Sequence, residues 1–354
     1  MTMSQSSILR QSLTLIIATA GLVTFLLLDL PLPFLFGPMA GCLVGALLGA
    51  PLKGLGQVSV GARTVLGVAI GTSITPALVA KLPTMALSVM LVPVYIVIIA
   101  LIGVPFFRKV CGFDPITAFY AAMPGGSADM TVLGQEAGAN VRQLSLVHVT
   151  RLLVIMTVAP ILLTQLYGVS LTNPLGAAAA DLPLHEMGIM VLVALIGWKG
   201  GERIGLFGAA ILGPLFLSAV LSLSDVLHTR PPREVLLAAQ FLIGTGIGAS
   251  YAGVTLRELR HTVFSGAAFV LILAALAAIF TEFVTLTGLA PAVEGFLAFA
   301  PGGQAEMAML AIVAGADLGF VVIHHLTRIF IVILGTPLIA RFTIQKSTKS
   351  ESRK

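Results

Sequence analysis

Charge is scarce in this 354-residue chain: Asp, Glu, Lys and Arg together make up 10% of it, against roughly a quarter in a soluble domain. A water-soluble fold with so few charges would have to coat itself in leucine and valine, so a soluble globular enzyme is excluded. Cysteine is nearly absent, with only Cys42 and Cys111, too few for a disulfide framework or a thiolate metal site. Polar/apolar alternation is missing as well, which removes a transmembrane β-barrel. What the chain has is 57% hydrophobic residues and 37 glycines, a mean hydropathy of +1.04, and apolar runs of about 20 residues. These features predict an all-α integral membrane protein with many crossings. The net charge of +5 does not point to nucleic acid, because five of the twenty basic residues (Arg341, Lys346, Lys349, Arg353, Lys354) lie at the C-terminal end. Residues 342–354 therefore read as a basic cytoplasmic tail. Ala18-Thr19-Ala20 mimics a cleavage site, but the apolar run continues to Leu28, which predicts a retained first helix.

The runs place helices at 8–28, 34–50, 61–80, 84–107 and 141–167, then at 187–198, 204–223, 235–253, 263–286 and 319–340. Two stretches do not fit a simple span. Pro115–Met123 is too short to cross and stops at Pro124-Gly125-Gly126, and Pro291–Ala316 is interrupted by Pro301-Gly302-Gly303. Each has the composition of a broken or re-entrant helix. Sliding the chain by 177 residues aligns Pro124-Gly-Gly-Ser-Ala-Asp-Met130 with Pro301-Gly-Gly-Gln-Ala-Glu-Met307. The same shift pairs His148 with His325 and Arg151 with Arg328, and one residue out of register Gly37-Pro38 meets Gly213-Pro214. A constant offset of half the length marks a tandem duplication, with membrane repeat 1 at 1–176 and membrane repeat 2 at 177–341.

The basic residues bear on orientation. If the broken units re-enter, each repeat crosses five times, the second repeat is inverted and both termini are cytoplasmic; fifteen Lys/Arg then lie inside and three outside. If the units cross, the split is twelve to six, which favours the inverted arrangement.

Ionisable groups within apolar segments are few, costly and duplicated. Asp129 and Glu306 follow the two Pro-Gly-Gly breaks, and His148/Arg151 and His325/Arg328 share a three-residue spacing that puts both side chains on one helix face. A helix restarting after such a break offers free N–H groups to an anion, and paired half-helix ends of this kind form substrate sites in transporters. The candidate substrate- or ion-binding residues are Pro124, Gly125, Gly126, Ser127, Asp129, His148, Arg151, Pro301, Gly302, Gly303, Gln304, Glu306, His325 and Arg328. Plainer roles compete: helix capping for the acids, structural counter-ions or snorkelling for the arginines, and a buried neutral ring for the histidines. Lys81, Trp198 and Tyr95 read as interfacial anchors, and Gly67/Gly71 and Gly244/Gly246/Gly248 as close-packing surfaces. His148, His324, His325, Asp129 and Glu306 lack the spacing of a helical metal site, so neither metal nor cofactor is expected.

The duplicated Pro-Gly-Gly-x-Ala-acid-Met units and the His-x-x-Arg that follows resemble the AbrB duplication family of bacterial inner-membrane proteins, across essentially the whole chain. The second copy, Ala300–Met307, is closer to the family pattern; the first has Ser127 and Asp129 where the family has Gln and Glu. Members carry labels such as "AbrB family transcriptional regulator" and "putative ammonia monooxygenase". The ligand inventory argues against a monooxygenase, and no soluble DNA-reading head is evident. The expectation is an inner-membrane secondary transporter of a small anionic or amphipathic organic solute, proton-coupled through Asp129 and Glu306, with Arg151 and Arg328 serving the negative group. The alternative is a membrane-embedded regulator or sensor that binds a ligand without moving it. Expected partners are the small-molecule solute and the lipid bilayer; a homo-oligomer is left open.

Overall fold

The computed structural model describes residues 3–351 apart from 31, 172, 174, 175 and 207; the side chains of 3–6, 128, 337, 338 and 340–351 are not described. The end of the basic tail lies outside the described residues. Every regular element among them is helical. In chain order these are α1 (Met3–Leu27), α2 (Pro33–Leu47), α3 (Gln57–Gly71), α4 (Pro76–Pro105), α5 (Pro115–Ala122), α6 (Ser127–Glu136), α7 (Val141–Gln165) and α8 (Leu184–Arg203). They continue as α9 (Ala209–Leu223), α10 (Arg233–Ala249), α11 (Leu256–Glu258), α12 (Phe264–Leu286), α13 (Ala292–Phe299), α14 (Gln304–Ala314) and α15 (Leu318–Glu351). A π-helical turn extends α4 over Phe106–Val110, and another joins α11 to α12 over Leu259–Val263.

Five segments are long and apolar enough to cross a membrane: Ser7–Leu27, Pro76–Val110, Val141–Gln165, Leu256–Leu286 and Leu318–Thr336. Their outer faces stay apolar. On α4, Leu87, Met90, Val94, Val97 and Leu101 are all exposed at alternating three- and four-residue steps, a stripe that suits lipid and not water.

The expectation of about five spans per repeat is met by length only in these five. α2, α3 and α9 have 15 residues each, about 22 Å against a hydrocarbon core of ~30 Å. For α3 the cause is local. The apolar run 61–80 continues in composition, but Thr72 and Ser73 turn their hydroxyls back to the Ala69 and Ile70 carbonyls (3.0 and 2.5 Å). Thr75 Oγ1 then accepts from Leu78 N at 3.3 Å, opening α4 with Pro76 at its first position.

The chain divides into two compact units, neither of which follows the sequence halves. The first comprises 1–81, 156–255 and 308–319. Within it α2 packs on α1 and α10, while α9 packs on α8 and α3, so the third helix of each half lies against the second helix of the other. Glycines make these approaches possible. A Cβ on Gly213 would overlap the Gly197 carbonyl oxygen, and one on Gly197 would lie 2.5 Å from Pro214 N. Gly21 and Gly37 do the same for α1 and α2, where a Cβ on Gly37 would lie 2.6 Å from Leu22 Cα. Gly67 and Gly71 meet the Ile211 and Leu215 carbonyls as Gly244 and Gly248 meet those of Leu35 and Met39. The glycine clusters are thus packing surfaces, and the contacts of one half are repeated residue for residue in the other.

In the same unit the buried Glu186 of α8 holds the turn between α9 and α10. Its Oε2 accepts from Thr229 N (3.0 Å), Thr229 Oγ1 (2.6 Å) and His228 N (3.3 Å). The exposed His228 ring lies between Glu186 Oε1 (3.2 Å) and Asp225 Oδ1 (3.1 Å), and these carboxylates raise its pKa above 6.5. The stability this contributes is complete below the unfolded-chain value of 6.5 and is lost as pH climbs through the raised folded value. Thermal unfolding of His228→Gln beside the parent protein, across a pH series, is expected to show a deficit on the acid side that vanishes on the alkaline side.

The second unit comprises 82–155, 256–307 and 320–354. Its interior is aromatic: Phe107 packs on Phe113 and Phe269, and Tyr95 on Phe280 and Phe299, with ring centroids 4.8–5.5 Å apart. It contains both Pro-Gly-Gly segments.

Candidate functional site

α5 and α13 have eight residues each, about 12 Å, and end far short of a bilayer's width. Asp114 caps α5, its Oδ1 accepting from Ile116 N and Thr117 N at 3.1 and 2.9 Å, and Pro291 precedes α13. After Ala122 and Phe299 the backbone is extended, at Met123 and Gly126 in one copy and at Ala300 in the other. α6 and α14 then begin at Ser127 and Gln304. Carbonyls at such a break have no helical partner, and burial forbids leaving them bare.

The two arginines answer this need in the same way. Arg151 donates from Nη1 to the Met123 carbonyl (3.2 Å) and from Nη2 to that of Gly125 (2.6 Å). Arg328 donates to the Ala300 and Gly302 carbonyls at 3.0 and 2.7 Å. Both side chains are buried, and the Nε of each has no partner. The guanidinium forks thus close the chain breaks from α7 and α15, one turn past the histidines.

The histidines differ. His325 donates from Nε2 to the Leu297 carbonyl (2.8 Å), since a carbonyl only accepts, and its Nδ1 accepts from Arg328 Nη2 at 2.9 Å. This is a neutral ring with both nitrogens committed. His148 is equally buried and faces the Tyr120 carbonyl, the counterpart of Leu297, without a hydrogen bond of normal geometry. His324 is turned to its own helix, with Nδ1 on the Phe320 carbonyl at 2.8 Å.

The acids fold back over the helix starts. A Cβ on Gly126 would lie 2.5 Å from Asp129 Oδ2, and one on Gly303 would overlap Glu306 Oε2. The preceding glycines, Gly125 and Gly302, hold the buried Met130 and Met307 side chains, which a Cβ would approach to 2.7 and 2.5 Å. The recurrent motif therefore has a steric logic: one glycine seats the methionine and the next seats the carboxylate. Pro124 and Pro301 are buried, Ser127 is half-buried, and the Gln304 side chain is buried with its Nε2 unpartnered.

The two copies meet in this unit. Glu306 and Arg328 both act electrostatically on Arg151, and a Cβ on Gly303 would lie 3.2 Å from Leu152 Cδ2. Tyr95 is within reach of both arginine charges and donates to the Phe299 carbonyl at 2.8 Å. The reading of Tyr95 as an interfacial anchor is overturned: it is 1% exposed and ties α4 to the end of α13. A lone tyrosine in an apolar helix carries no sequence signal that separates the two roles. Lys81 is exposed and pairs with Asp317 at 3.6 Å.

Long apolar helices with lipid-suited faces define a multi-pass helical protein of the membrane type. The family model described as "Transition state regulatory protein AbrB" matches residues 5–344, and the chain belongs to the AbrB family. It is 25% identical over 329 residues to the Escherichia coli K12 protein named "Putative regulator AbrB", covering 90% of this chain and 92% of that one. It is 26% identical over 298 residues to the Bacillus subtilis 168 protein named "Uncharacterized protein YhjN", covering 78% and 76%. No solved structure matches.

Proposed function

We propose that this protein is a secondary transporter of a small anionic or amphipathic organic solute, coupled to protons and lying in the bacterial inner membrane with both termini cytoplasmic. In this reading the two repeats are inverted and each Pro-Gly-Gly unit re-enters the bilayer. The distribution of Lys and Arg supports that orientation, and the twofold, partner-swapped glycine contacts support the duplication.

The observation that carries the reading is a carboxylate folded over the start of a broken helix, once in each copy, at a break whose carbonyls a buried guanidinium holds. A helix start is an anion site, and here the chain's own acid covers it. Protonating that acid removes its charge and its hold on the first turn, leaving the N–H groups to the solute's negative group. Proton and anion would thus enter together. The guanidiniums, with Nη1 and Nη2 on carbonyls, would supply positive potential and a free Nε.

A ligand sensor without flux is the second reading, favoured by the word "regulator" in the name of the Escherichia coli relative. Reconstitution into liposomes separates the two. Solute should accumulate on imposing a proton gradient, and Asp129→Asn and Glu306→Gln should each bring gradient-driven uptake to background while the protein still elutes as a folded species. Binding with no flux favours the sensor, and undiminished uptake in both variants removes the acids from the mechanism.

A further inference from the structure

The N-terminal end of the apolar segment Leu256–Leu286 in the second unit carries a feature that the site above does not use. Where α11 passes through its π-helical turn into α12, a groove of about 470 Å³ is lined by Leu256, Arg257, Arg260 and His261. Arg257 and Arg260 are exposed, and among the described residues neither has an ion-pair partner. The acid between them, Glu258, is held by Arg142 Nε at 2.8 Å and so is drawn away from neutralising its neighbours. The exposed His261 ring lies against Phe113, with centroids 5.7 Å apart and planes at 28°. Leu256 and Phe264 stand 64% and 72% exposed beside these cations.

We propose that this groove binds the phosphate of an anionic phospholipid headgroup. Two guanidiniums at a three-residue spacing offer forked donors that match phosphate oxygens. A groove that needed only a soluble phosphate would have no use for a bare leucine in its lining; a lipid brings acyl chains to cover it. Its position at the end of an apolar segment of 31 residues, Leu256–Leu286, puts the cations at the level of headgroups, where each is worth roughly a fivefold gain in affinity for an anionic surface. The proposal is independent of whether the protein transports or senses.

The test uses the full-length protein in phosphatidylcholine vesicles containing a trace of spin-labelled phosphatidylglycerol or, in parallel, spin-labelled phosphatidylcholine. The immobilised fraction should favour phosphatidylglycerol by on the order of tenfold at low salt and fade at high salt. In R257Q/R260Q it should fall to the phosphatidylcholine level. R142Q leaves both arginines in place but frees Glu258 to neutralise them, and should lower the preference several-fold. K53Q, far along the chain, should leave it unchanged. Equal retention of the two lipids by the parent protein, or an unaltered preference in both R257Q/R260Q and R142Q, overturns the proposal. Displacement of the labelled lipid by millimolar glycerol 3-phosphate overturns its assignment to lipid in favour of a soluble phosphate ester.

Discussion

Arg328→Ala should destabilise the protein by about 4 kcal/mol or more, because it orphans several buried groups at ~1–3 kcal/mol each. The Ala300 and Gly302 carbonyls lose their donors, and His325 Nδ1 loses the Nη2 proton it accepts. Arg151→Ala strands the Met123 and Gly125 carbonyls but no ring nitrogen, since His148 makes no such bond, so its loss should be the smaller. Arg328→Lys should fail almost as badly as alanine: an ammonium is a single point and cannot reach two carbonyls along divergent directions. Melting temperature in detergent and the yield of monodisperse protein measure this directly. Unchanged melting in all three variants would show that the breaks are held by something else. The comparison also bears on transport, because a guanidinium that caps a chain break makes substrate loss and structural loss coincide; binding data on these variants are informative only beside the melting curves.

Gly213→Ala should cost about 3 kcal/mol, at the upper end for adding one carbon to a packed interior. The new Cβ would overlap the Gly197 carbonyl oxygen and lie 2.6 Å from its carbon and 3.4 Å from Trp198 N. All three are backbone atoms, and no side-chain rotation relieves them, so α8 and α9 must separate along their contact. Gly200→Ala is the control. It lies on α8, the helix of Gly197 that Gly213 packs against, with nothing within 4 Å of the added atom, and removing a helical glycine there should gain roughly 0.5–1 kcal/mol. Equal melting temperatures for the two variants would refute close approach as the reason for the Gly-Pro pairs.

Much of the fold was legible in the sequence. The starts and ends of α2, α5, α7 and α12 fall within three residues of the apolar runs, because they depend on local composition and on Pro or Gly near the ends, whereas α1 starts at Met3, five residues before its run. The short α3 was not legible, since hydropathy adds Thr72–Thr75 to the run while hydroxyl caps end the helix there. The recurrent residues of the candidate site were found by their offset of 177, yet their employment was not. Nothing in Arg151 or Arg328 announces that two of their nitrogens are spent on carbonyls 26 and 28 residues upstream. Tyr95 has no counterpart in the second repeat, where position 272 is Ile, and the repeat could not flag it.

The sequence by itself determined a helical chain suited to lipid, through 10% charged residues and long apolar runs, and the recurrence of its motifs at a fixed offset of 177 residues. Only the tertiary structure decided that the third helix of each half packs against the second helix of the other, and where each guanidinium proton goes. Local pattern specifies which residues face one way on a helix, but hydrogen bonds and backbone approach depend on distances between groups that the chain brings together from far apart, and those distances exist only once the helices have packed.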